Sequence, residues 1–479
     1  MKLLETGVRQ LRMALGMVWG RRLNTNNLNR LVDDALATLA EFGEPGADAG
    51  EVIDGPLNDP AARLDFANRG LRRTASRLAK QSPFYARRFT AAGVAPERLD
   101  LAGLSAIPVT LKRDLVDRPD DFQCADVQRF LATRTTGPTG KPAEIWLSRY
   151  EMELWPALGS LASLLRGELL PDDILQVNVS SRATGSVHLN TAGCRLVGAA
   201  CRVLGIVPPD ESLDSLLHHG ATQLATVPSY LAELEVAARR RGLGPDDFNL
   251  RTIDIGGEVL SPSLAAAVRE TFGVTNIRDL FAMTEVVPVF GRVCNDRHLH
   301  FDINMGLVEY LDLETGETAR PGALATVVAT PFFPYRDCMP VFRYDTRDVV
   351  RCLSPDEITC ELAGLPGTGP IEGKADQLLR LGSAETVTPR QLIESIEALP
   401  TRPWPARYRA AVHDGRVRVT LPAATVDGLD STDLARHFEA HGLDLDITIV
   451  GDDEARSLRQ LRSDLHETTF AARPALIGA

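Results

Sequence analysis

The sequence predicts an α/β fold with more than one domain. Short apolar runs alternate with amphipathic stretches through the middle of the chain, and the runs lie at 174–177, 201–204, 222–227 and 252–255. Such alternation is typical of parallel strands covered by helices. At 306–350 the pattern changes to hairpin-like strands, which indicates an antiparallel subdomain. We therefore expect a large N-terminal domain with mixed or parallel sheets and an antiparallel subdomain, followed by a small α+β C-terminal domain.

The chain has 479 residues, which is too long for a single hydrophobic core. Changes along the sequence predict three parts: a helical N-terminal extension at 1–60, a large domain at 61–373 and a small mobile domain at 374–479. The last part has the length of a small α+β domain. Neither an internal repeat nor a low-complexity tract interrupts this division.

Leu4, Val8 and Leu11 begin an apolar pattern at helical spacing, which predicts an amphipathic N-terminal helix. We expect this helix to dock on its own protein or on a second copy of the chain, which would form a homodimer. Glu5 and Arg9 interrupt the apolar segment that a signal peptide requires. No apolar run is long enough to span a bilayer, so we predict no membrane span.

The net charge of −12 argues against nucleic acid or an anionic membrane as the main partner. Seven cysteines without a compact spacing favour a reduced, cytoplasmic setting. An anionic ligand would need local positive charge inside this acidic protein. Lysine is scarce, so each position is informative: Lys2, Lys80, Lys112, Lys141 and Lys374.

The segment 135–142, Thr-Thr-Gly-Pro-Thr-Gly-Lys-Pro, has the composition of an anion-binding loop. Glycine lets backbone N–H groups turn towards an anion, and the hydroxyl groups and Lys141 supply further donors. The spacing differs from that of the common P-loop, because only two residues separate Gly137 from Gly140. The alternative is an ordinary surface turn, since Gly, Pro and Thr are frequent in turns.

Two further segments, 256–258 and 279–285, directly follow apolar runs. In open parallel sheets, ligands bind at the carboxyl ends of the strands. We therefore expect both segments to meet a nucleotide whose phosphates lie in the loop at 135–142.

Several motifs lie along the chain in a fixed order: the loop at 135–142, then 227–230 (Val-Pro-Ser-Tyr), 256–258 (Gly-Gly-Glu), 281–285 (Phe-Ala-Met-Thr-Glu), 342–348 and 373–377. This order resembles the adenylate-forming superfamily of acyl-CoA synthetases, nonribosomal adenylation domains and luciferases. The Thr-Arg-Asp at 346–348, together with the segments 82–94 and 108–115, resembles the phenylacetate–CoA ligase family. The resemblance covers roughly residues 60–400.

The resemblance implies an ATP- and Mg²⁺-dependent reaction in two steps. A small, polar-substituted and aromatic carboxylic acid attacks the α-phosphorus of ATP, and pyrophosphate leaves. A thiol, CoA by default, then captures the acyl-adenylate. The first step needs charge neutralisation at the phosphates, so donors and Mg²⁺ carry most of the catalysis.

Residue roles follow from the matching positions. Contacts with the β- and γ-phosphates would come from Thr135, Thr136, Gly137, Thr139, Gly140 and Lys141. Lys141 would also be catalytic, together with Thr284, Glu285 and Lys374. Among these, Glu285 would bind Mg²⁺ and Thr284 would contact a phosphate oxygen.

The adenosine would be held further along the chain, by Gly257, Glu258, Phe281 and Asp348. Phe281 would lie against the adenine, and Asp348 would accept hydrogen bonds from the ribose hydroxyls. Lys374 stands where the family usually has arginine, which keeps the charge but loses the bidentate fork. Asp376 would be the hinge about which the C-terminal domain rotates between the two steps.

The family position of 176–195 implies that this segment lines the acyl pocket. Ser180, His188, Tyr230 and Met283 would contact the acid. The segment is rich in polar side chains, which favours a hydroxylated, amino-bearing or otherwise polar acid. The alternative is that these side chains belong to a solvated loop.

Cys294, His300, Cys352 and Cys360 are candidate ligands of a structural Zn²⁺ ion. Relatives in the phenylacetate–CoA ligase family often carry such a set in this region, and four soft ligands suit a closed zinc site. His298 competes with His300 for the same role. The alternative is a group of separate buried cysteines.

The family normally supplies a lysine near the end of the chain for the α-phosphate and the carboxylate, but no lysine follows Lys374. Arg459 or Arg462 would then substitute, or adenylation would be slow. A third alternative is a changed task, such as joining the acid to an amine or another nitrogen without CoA. A nucleotide-binding homologue that has lost adenylation, or a transferase that accepts a ready-made acyl-adenylate, would also tolerate the loss.

Overall fold

The computed structural model describes residues 24–42, 59–135, 142–180, 183–381, 385–404, 407–455 and 459–460. The predicted helix at the N-terminus lies outside these residues. None of the helices in the described ranges is long and apolar enough to cross a membrane.

The described helices surround the sheets and vary in length from one turn to six. They are α1 (Thr25–Phe42), α2 (Pro60–Gln81), α3 (Pro83–Ala91), α4 (Lys112–Asp117), α5 (Pro119–Phe122), α6 (Arg149–Leu165), α7 (Thr184–Val197), α8 (Pro209–His219), α9 (Pro228–Arg240), α10 (Pro262–Phe272), α11 (Pro389–Glu397), α12 (Ser431–Ala440) and α13 (Asp452–Ala455).

The described strands are mostly short. They are β1 (Leu131–Arg134), β2 (Glu144–Leu147), β3 (Ile174–Val177), β4 (Ala200–Val203), β5 (Gln223–Thr226), β6 (Thr252–Gly256), β7 (Asn276–Phe281), β8 (Gly291–Val293), β9 (Leu299–Phe301), β10 (Gly306–Asp312), β11 (Leu324–Pro331), β12 (Tyr344–Arg351), β13 (Gly367–Thr368), β14 (Gly373–Lys374), β15 (Leu379–Leu381), β16 (Glu385–Val387), β17 (Arg407–His413), β18 (Arg416–Pro422), β19 (Leu445–Val450) and β20 (Arg459–Gln460).

The largest sheet is mixed, with strand order β13-β9-β8-β7-β6-β5-β3-β4. The five strands from β4 to β7 run parallel, while β8, β9 and β13 are antiparallel. The apolar runs at 174–177 and 252–255 fall on β3 and β6, so the predicted α/β class is confirmed. Parallel neighbouring strands need a crossover connection instead of a hairpin, and the helices α7 to α10 provide these connections.

Two hairpins, β1-β2 and β15-β16, and two four-stranded sheets accompany the large sheet. The first is antiparallel, with order β10-β11-β12-β14, and confirms the antiparallel subdomain predicted at 306–350. The second is the small C-terminal sheet, with strand order β19-β18-β17-β20. Its own apolar core includes Ile393, Val419 and Phe438.

Local signals in the sequence define where the helices begin and end. The Ser261 hydroxyl accepts a hydrogen bond from the backbone N–H of Leu264 and caps α10 at its start. Gly273 ends the same helix with φ of 66°, a left-handed conformation that favours glycine. A Cβ at this position would lie 2.9 Å from the side chain of Pro245. The helix therefore returns the chain directly into β7.

A buried carboxylate joins the start of α6 to a segment almost two hundred residues later. Glu151 accepts hydrogen bonds from the backbone N–H groups of Ser148, at 2.7 Å, and Asp337, at 2.8 Å. The Arg336 guanidinium lies 3.5 Å away, and both charged side chains are fully buried. A buried charge without its partners is strongly destabilising. This contact therefore fixes α6, one wall of the cavity described below, against the segment that leads to β12.

We predict that Glu151→Ala lowers the free energy of unfolding by about 3–5 kcal/mol, because Arg336 then remains buried without its counter-charge. Urea denaturation measures the change. Glu153→Ala is the matched control, since Glu153 is exposed on the same helix, and its effect should stay below about 1 kcal/mol. Equal small effects of the two substitutions would contradict the importance of the buried pair.

Candidate active site

A cavity of about 1560 Å³ lies at the carboxyl ends of the parallel strands and continues along one face of the sheet. Its described lining brings together segments that are distant in the sequence. They include Thr135, Ser180, Gly257, Glu258, Phe281, Met283, Thr284, Glu285, Asp348, Lys374 and Asp376. These are eleven of the residues that the sequence predicts for the site.

The predicted phosphate loop is only partly described, because Thr136, Gly137, Thr139, Gly140 and Lys141 lie outside the described residues. Thr135 at its start is buried. The Thr135 hydroxyl accepts a hydrogen bond from the backbone N–H of Ala143, at 3.0 Å. The backbone N–H of Thr135 donates to the Ala143 carbonyl, also at 3.0 Å. The two ends of the loop are thus held together by the hairpin of β1 and β2 at the rim of the cavity.

The turn after β6 is fixed by close packing and by a buried acid. A Cβ on Gly256 would lie 2.6 Å from the carbonyl oxygen of Leu280, so only glycine fits there. Gly257 has φ of 80°, in the left-handed region. The Glu258 carboxylate accepts hydrogen bonds from the backbone N–H of Ser229, at 2.7 Å, and from its hydroxyl, at 3.0 Å. Glu258 therefore caps α9 as well as lining the cavity.

The segment after β7 places an aromatic ring and an acid next to each other. Phe281 packs edge-to-face on Phe301, with ring centroids 5.1 Å apart. Glu285 is 4% exposed, and the Tyr344 hydroxyl donates to its carboxylate at 3.3 Å. Burial raises the pKa of Tyr344, and the negative charge of Glu285 raises it further. Tyr344 therefore stays protonated and orients the carboxylate of Glu285.

Asp348 and Lys374 form an ion pair between β12 and the edge strand β14. Their side chains approach to 2.9 Å, and the Lys374 ammonium also donates to the Thr346 carbonyl at 3.1 Å. Burial raises the pKa of the Asp348 carboxyl, although the positive charge of Lys374 opposes the change. Asp376 follows directly in a short helical turn, Ala375–Gln377, that also lines the cavity.

Lys112 is a cavity residue to which the sequence assigned no role. It begins α4, and its side chain is half-buried at the cavity wall. Burial lowers the pKa of Lys112, and Lys374 adds to the lowering, whereas Glu285 opposes it. None of the residues described here supplies a hydrogen bond or ion pair to its ammonium group. The scarcity of lysine was the signal that could have identified it.

The position of Lys112 is set by the preceding residues. The backbone N–H of Thr110 donates to the Arg343 carbonyl at 2.7 Å, and the N–H of Asp345 donates to the Thr110 carbonyl at 2.9 Å. This short parallel contact attaches the segment to the start of β12. Lys112 is therefore held on the same side of the cavity as Glu285.

Two residues predicted to contact the acid lie outside the cavity lining that the structure describes. Tyr230 is 1% exposed within the core beneath α9, and its hydroxyl donates to the Val207 carbonyl at 2.7 Å. The imidazole Nε2 of His188 lies 2.7 Å from the Met152 carbonyl, between α7 and α6. Each side chain is instead engaged by a backbone carbonyl of another segment. Ser180 and Met283 do line the cavity.

The predicted metal ligands also need one correction. Cys294, His298, His300 and Cys360 form a cluster whose ligand atoms all lie within 4.8 Å of one another. Cys352 is absent from this group, because the end of β12 carries it to a bridge with Thr368. His298 takes the place that the sequence gave to Cys352.

The cluster has features that suit a metal ion. The backbone N–H of His298 donates to the Cys294 sulfur at 3.3 Å, and the Cys360 sulfur lies 3.2 Å from Nε2 of His300. The Nδ1 atoms of both histidines are buried without a hydrogen-bond partner. Burial lowers the pKa of His300, which favours the neutral imidazole that binds metals. Two thiols and two imidazoles match a tetrahedral Zn²⁺ site.

Comparison with known sequences identifies relatives of the chain. The AMP-binding enzyme family matches residues 135–309. The phenylacetate-coenzyme A ligase of Thermus thermophilus is 27% identical over 344 residues, which are 69% of this chain and 74% of the relative. The Escherichia coli enzyme of the same name is 24% identical over 333 residues, 66% of this chain and 71% of the relative.

Comparison with solved structures identifies the same fold. A 2-hydroxyisobutyryl-CoA ligase in the postadenylation state has a TM-score of 0.71 at 18% identity, over 88% of this chain and 94% of that one. The same ligase in the thioester-forming state has a TM-score of 0.60 at 19% identity, over 82% and 87%.

The match over residues 135–309 and the distant relatives indicate the class of this chain, which is that of an AMP-binding, adenylate-forming enzyme. More particularly, it is an enzyme of the CoA-ligase type, with distant homology to the phenylacetate-coenzyme A ligases at 24–27% identity. The resemblance expected from the sequence motifs is confirmed.

Asp279 is a further carboxylate at the cavity, on β7. Burial raises its pKa to about 6, although Arg390 and Arg297 partly offset the shift. The ordinary pKa of an aspartate is about 3.9. The folded protein therefore binds a proton at this position more tightly than the unfolded chain, and ionised Asp279 reduces stability near neutral pH.

We predict that Asp279→Asn raises the free energy of unfolding at pH 7.5 relative to the unsubstituted protein. The gain should shrink as the pH falls through about 6, because Asp279 in the folded protein is then protonated, and it should vanish near pH 4. Urea denaturation across this pH range measures the difference, with the exposed Asp246→Asn as the control. A difference that is independent of pH would refute the prediction.

Proposed function

We propose that this enzyme uses ATP and Mg²⁺ to activate a small carboxylic acid as an acyl-adenylate and then transfers the acyl group to a thiol, with CoA as the expected acceptor. The main support is one observation: Thr135, Glu285, Asp348 and Lys374 line a single cavity at the strand ends. The distant homology to phenylacetate-coenzyme A ligases supports the same chemistry.

A carboxylate is a poor electrophile because its leaving group would be oxide. Transfer to the α-phosphorus of ATP provides AMP as a leaving group. In this proposal the loop at 135–142 holds the β- and γ-phosphates, and Asp348 accepts hydrogen bonds from the ribose. Glu285 would hold Mg²⁺, which neutralises charge on the departing pyrophosphate. A buried carboxylate oriented by Tyr344 fits that ion, since Mg²⁺ binds through few protein oxygens.

The second step would require residues 374–479 to rotate about Asp376. Lys374 immediately precedes this position and is paired with Asp348. Rotation would bring another face of the C-terminal part to the cavity for the thiol. This hinge, like the division into three domains, remains a proposal.

The acid is proposed to be aromatic and polar-substituted. The cavity passes between α6, α7 and the face of β5, β6 and β7, where both apolar and polar side chains line it. Ser180 and Met283 are proposed to contact the acid.

The absence of lysine after Lys374 favours a second candidate. The transition state of adenylation would then lack the contact that the family's C-terminal lysine usually makes. In this second candidate the enzyme joins the acid to an amine or another nitrogen without CoA. Lys112 offers a way to retain ordinary adenylation, because its ammonium is at the cavity near Glu285. A nucleotide-binding homologue without adenylation is the remaining alternative.

Pyrophosphate exchange tests the proposal directly. We expect the enzyme to incorporate labelled pyrophosphate into ATP with an aromatic acid present. Lys141→Ala and Glu285→Gln should each reduce the rate by at least about a hundredfold, because each removes a charge that stabilises the transition state. Lys80→Ala is the matched control, since Lys80 is exposed.

The acceptor is identified by adding CoA or amines to the same reaction. Release of AMP with CoA supports the thiol, whereas release with amines alone supports the second candidate. Nucleotide binding without exchange for any acid would contradict adenylation. Full exchange by Glu285→Gln would contradict its assignment to Mg²⁺.

We also propose that Cys294, His298, His300 and Cys360 bind one structural Zn²⁺ ion. The partnerless Nδ1 atoms and the two nearby thiols support the assignment. The ion would join the β8–β9 hairpin to the segment after β12.

We predict about one Zn²⁺ per chain in protein purified from zinc-supplemented medium, as expected for a closed four-ligand site. Cys360→Ser should lose most of the metal and lower the melting temperature, because binding is linked to folding. Cys352→Ser should retain the metal, since Cys352 is outside the cluster. Elemental analysis and thermal denaturation measure both effects, and equal zinc content in the two variants would refute the site.

A further inference from the structure

One part of the cavity extends beneath the strand ends, between the face of β5–β7 and the helices α6 and α7. Gly159, Ser163 and Gly193 line this part on the helix side, where their small size leaves space. Ser186 and Asn190 of α7 add polar groups to the same wall. The opposite wall is the sheet itself, and it carries charged side chains.

Arg278 is at the centre of this charged floor. Its guanidinium donates two hydrogen bonds to Asp254, from Nε at 2.5 Å and from Nη2 at 2.6 Å. A third contact joins Nη1 to the Glu168 carboxylate at 2.8 Å. The three side chains are 15%, 19% and 23% exposed, in the order Arg278, Asp254, Glu168. All three line the cavity.

The floor retains unused hydrogen-bonding capacity. A guanidinium has five N–H donors, and these contacts use three of them. Each carboxylate oxygen keeps a second acceptor position. Burial disfavours the charge of Arg278, but Asp254 and Glu168 more than offset it and raise its pKa. The site therefore offers a donor and an acceptor side by side at neutral pH.

The charge balance selects against a charged ligand group. Arg166 and Arg292 also line this part of the cavity, as does Asp302, which lies 3.8 Å from Arg166. Three guanidinium groups thus face three carboxylates. A charged substituent would gain no net counter-charge, whereas a hydroxyl group could use both the donor and the acceptor.

The distance from the strand ends to Arg278 and Asp254 determines how long a ligand must be to reach both. Arg278 precedes Phe281 by three residues on β7, and Asp254 precedes Gly257 by three on the neighbouring chain segment. At about 3.3 Å per residue, the floor lies about 10 Å from the strand ends. An acid with a carboxymethyl group and a hydroxyl group at opposite ends of an aromatic ring is about 7 Å long, and a hydrogen bond of about 2.8 Å from the hydroxyl group completes the distance.

We propose that Arg278 and Asp254 form a specificity site for a hydroxyl group at the end of the acid remote from its carboxylate. The inference rests on the proposed adenylation function and names the substrate class more narrowly: a hydroxylated aromatic acid. Arg278 donates to the hydroxyl oxygen, and the Asp254 carboxylate accepts the hydroxyl proton. An acid that lacks the hydroxyl leaves the remaining N–H donors of Arg278 and the second acceptor positions of Asp254 unused after water is displaced, which costs affinity.

The test compares pairs of acids that differ only in that hydroxyl group. Pyrophosphate exchange is measured with phenylacetate against 4-hydroxyphenylacetate and with benzoate against 4-hydroxybenzoate. In at least one pair, kcat/KM should favour the hydroxylated acid by at least about tenfold. The double variant Asp254→Asn/Arg278→Gln keeps the net charge of the floor and should reduce this preference at least about tenfold.

A matched ion pair provides the control. Arg418 and Asp446 also form an ion pair between register partners on neighbouring parallel strands, at 2.7 Å, in the C-terminal sheet and outside the described lining of the cavity. Asp446→Asn/Arg418→Gln should keep the preference for the hydroxylated acid. Arg278→Lys, which retains the charge without the fork, should weaken the preference and serves if the double variant does not fold.

The outcomes separate two failures. Exchange with none of the acids would overturn the proposed function and this inference with it. Exchange without a preference for a hydroxylated acid would overturn the inference alone. A preference that survives in folded Asp254→Asn/Arg278→Gln or Arg278→Lys protein would also overturn it, because the charged cluster would then be purely structural.

Discussion

The pairing of Asp348 with Lys374 is the constraint on which the arrangement of the site depends. The two residues face each other in the register of β12 and β14, and their side chains form an ion pair at 2.9 Å. The register joins the end of the antiparallel sheet to the start of the C-terminal part. Because both residues line the cavity, the geometry of the site and the start of the last 106 residues are determined together.

The polar and charged side chains of the site come from separate segments of the chain, and backbone contacts position each segment. Glu285 follows β7, Lys112 is attached to β12 through Thr110, and Thr135 closes the loop end of the hairpin formed by β1 and β2. Backbone hydrogen bonds hold these elements in place before any ligand arrives. A pre-positioned set of charges requires little reorganisation when a polyphosphate binds.

Sequence reasoning predicted the parallel strands, the antiparallel subdomain and much of the lining, because apolar periodicity and strand ends are local signals. It did not predict side-chain direction on helices, so Tyr230 and His188 were assigned to the pocket although both point elsewhere. It also exchanged Cys352 for His298, since chain spacing does not reveal which strand edge a residue reaches. No sequence motif marks the charged floor at Arg278. Arg278 and Asp254 become neighbours only through the register of β6 and β7.

The buried Glu151 has a consequence for how the polypeptide matures. Its carboxylate, at the start of α6, is satisfied by backbone groups of residues 337 and 338. During synthesis, a nascent chain that stops short of those residues holds this acid with its local partner, Ser148, but without Arg336, Asp337 and Cys338. Helix α6 therefore cannot reach its final environment until more than two-thirds of the polypeptide has been translated. Until then the N-terminal half is incompletely packed, and chaperones bind incompletely packed chains of this kind.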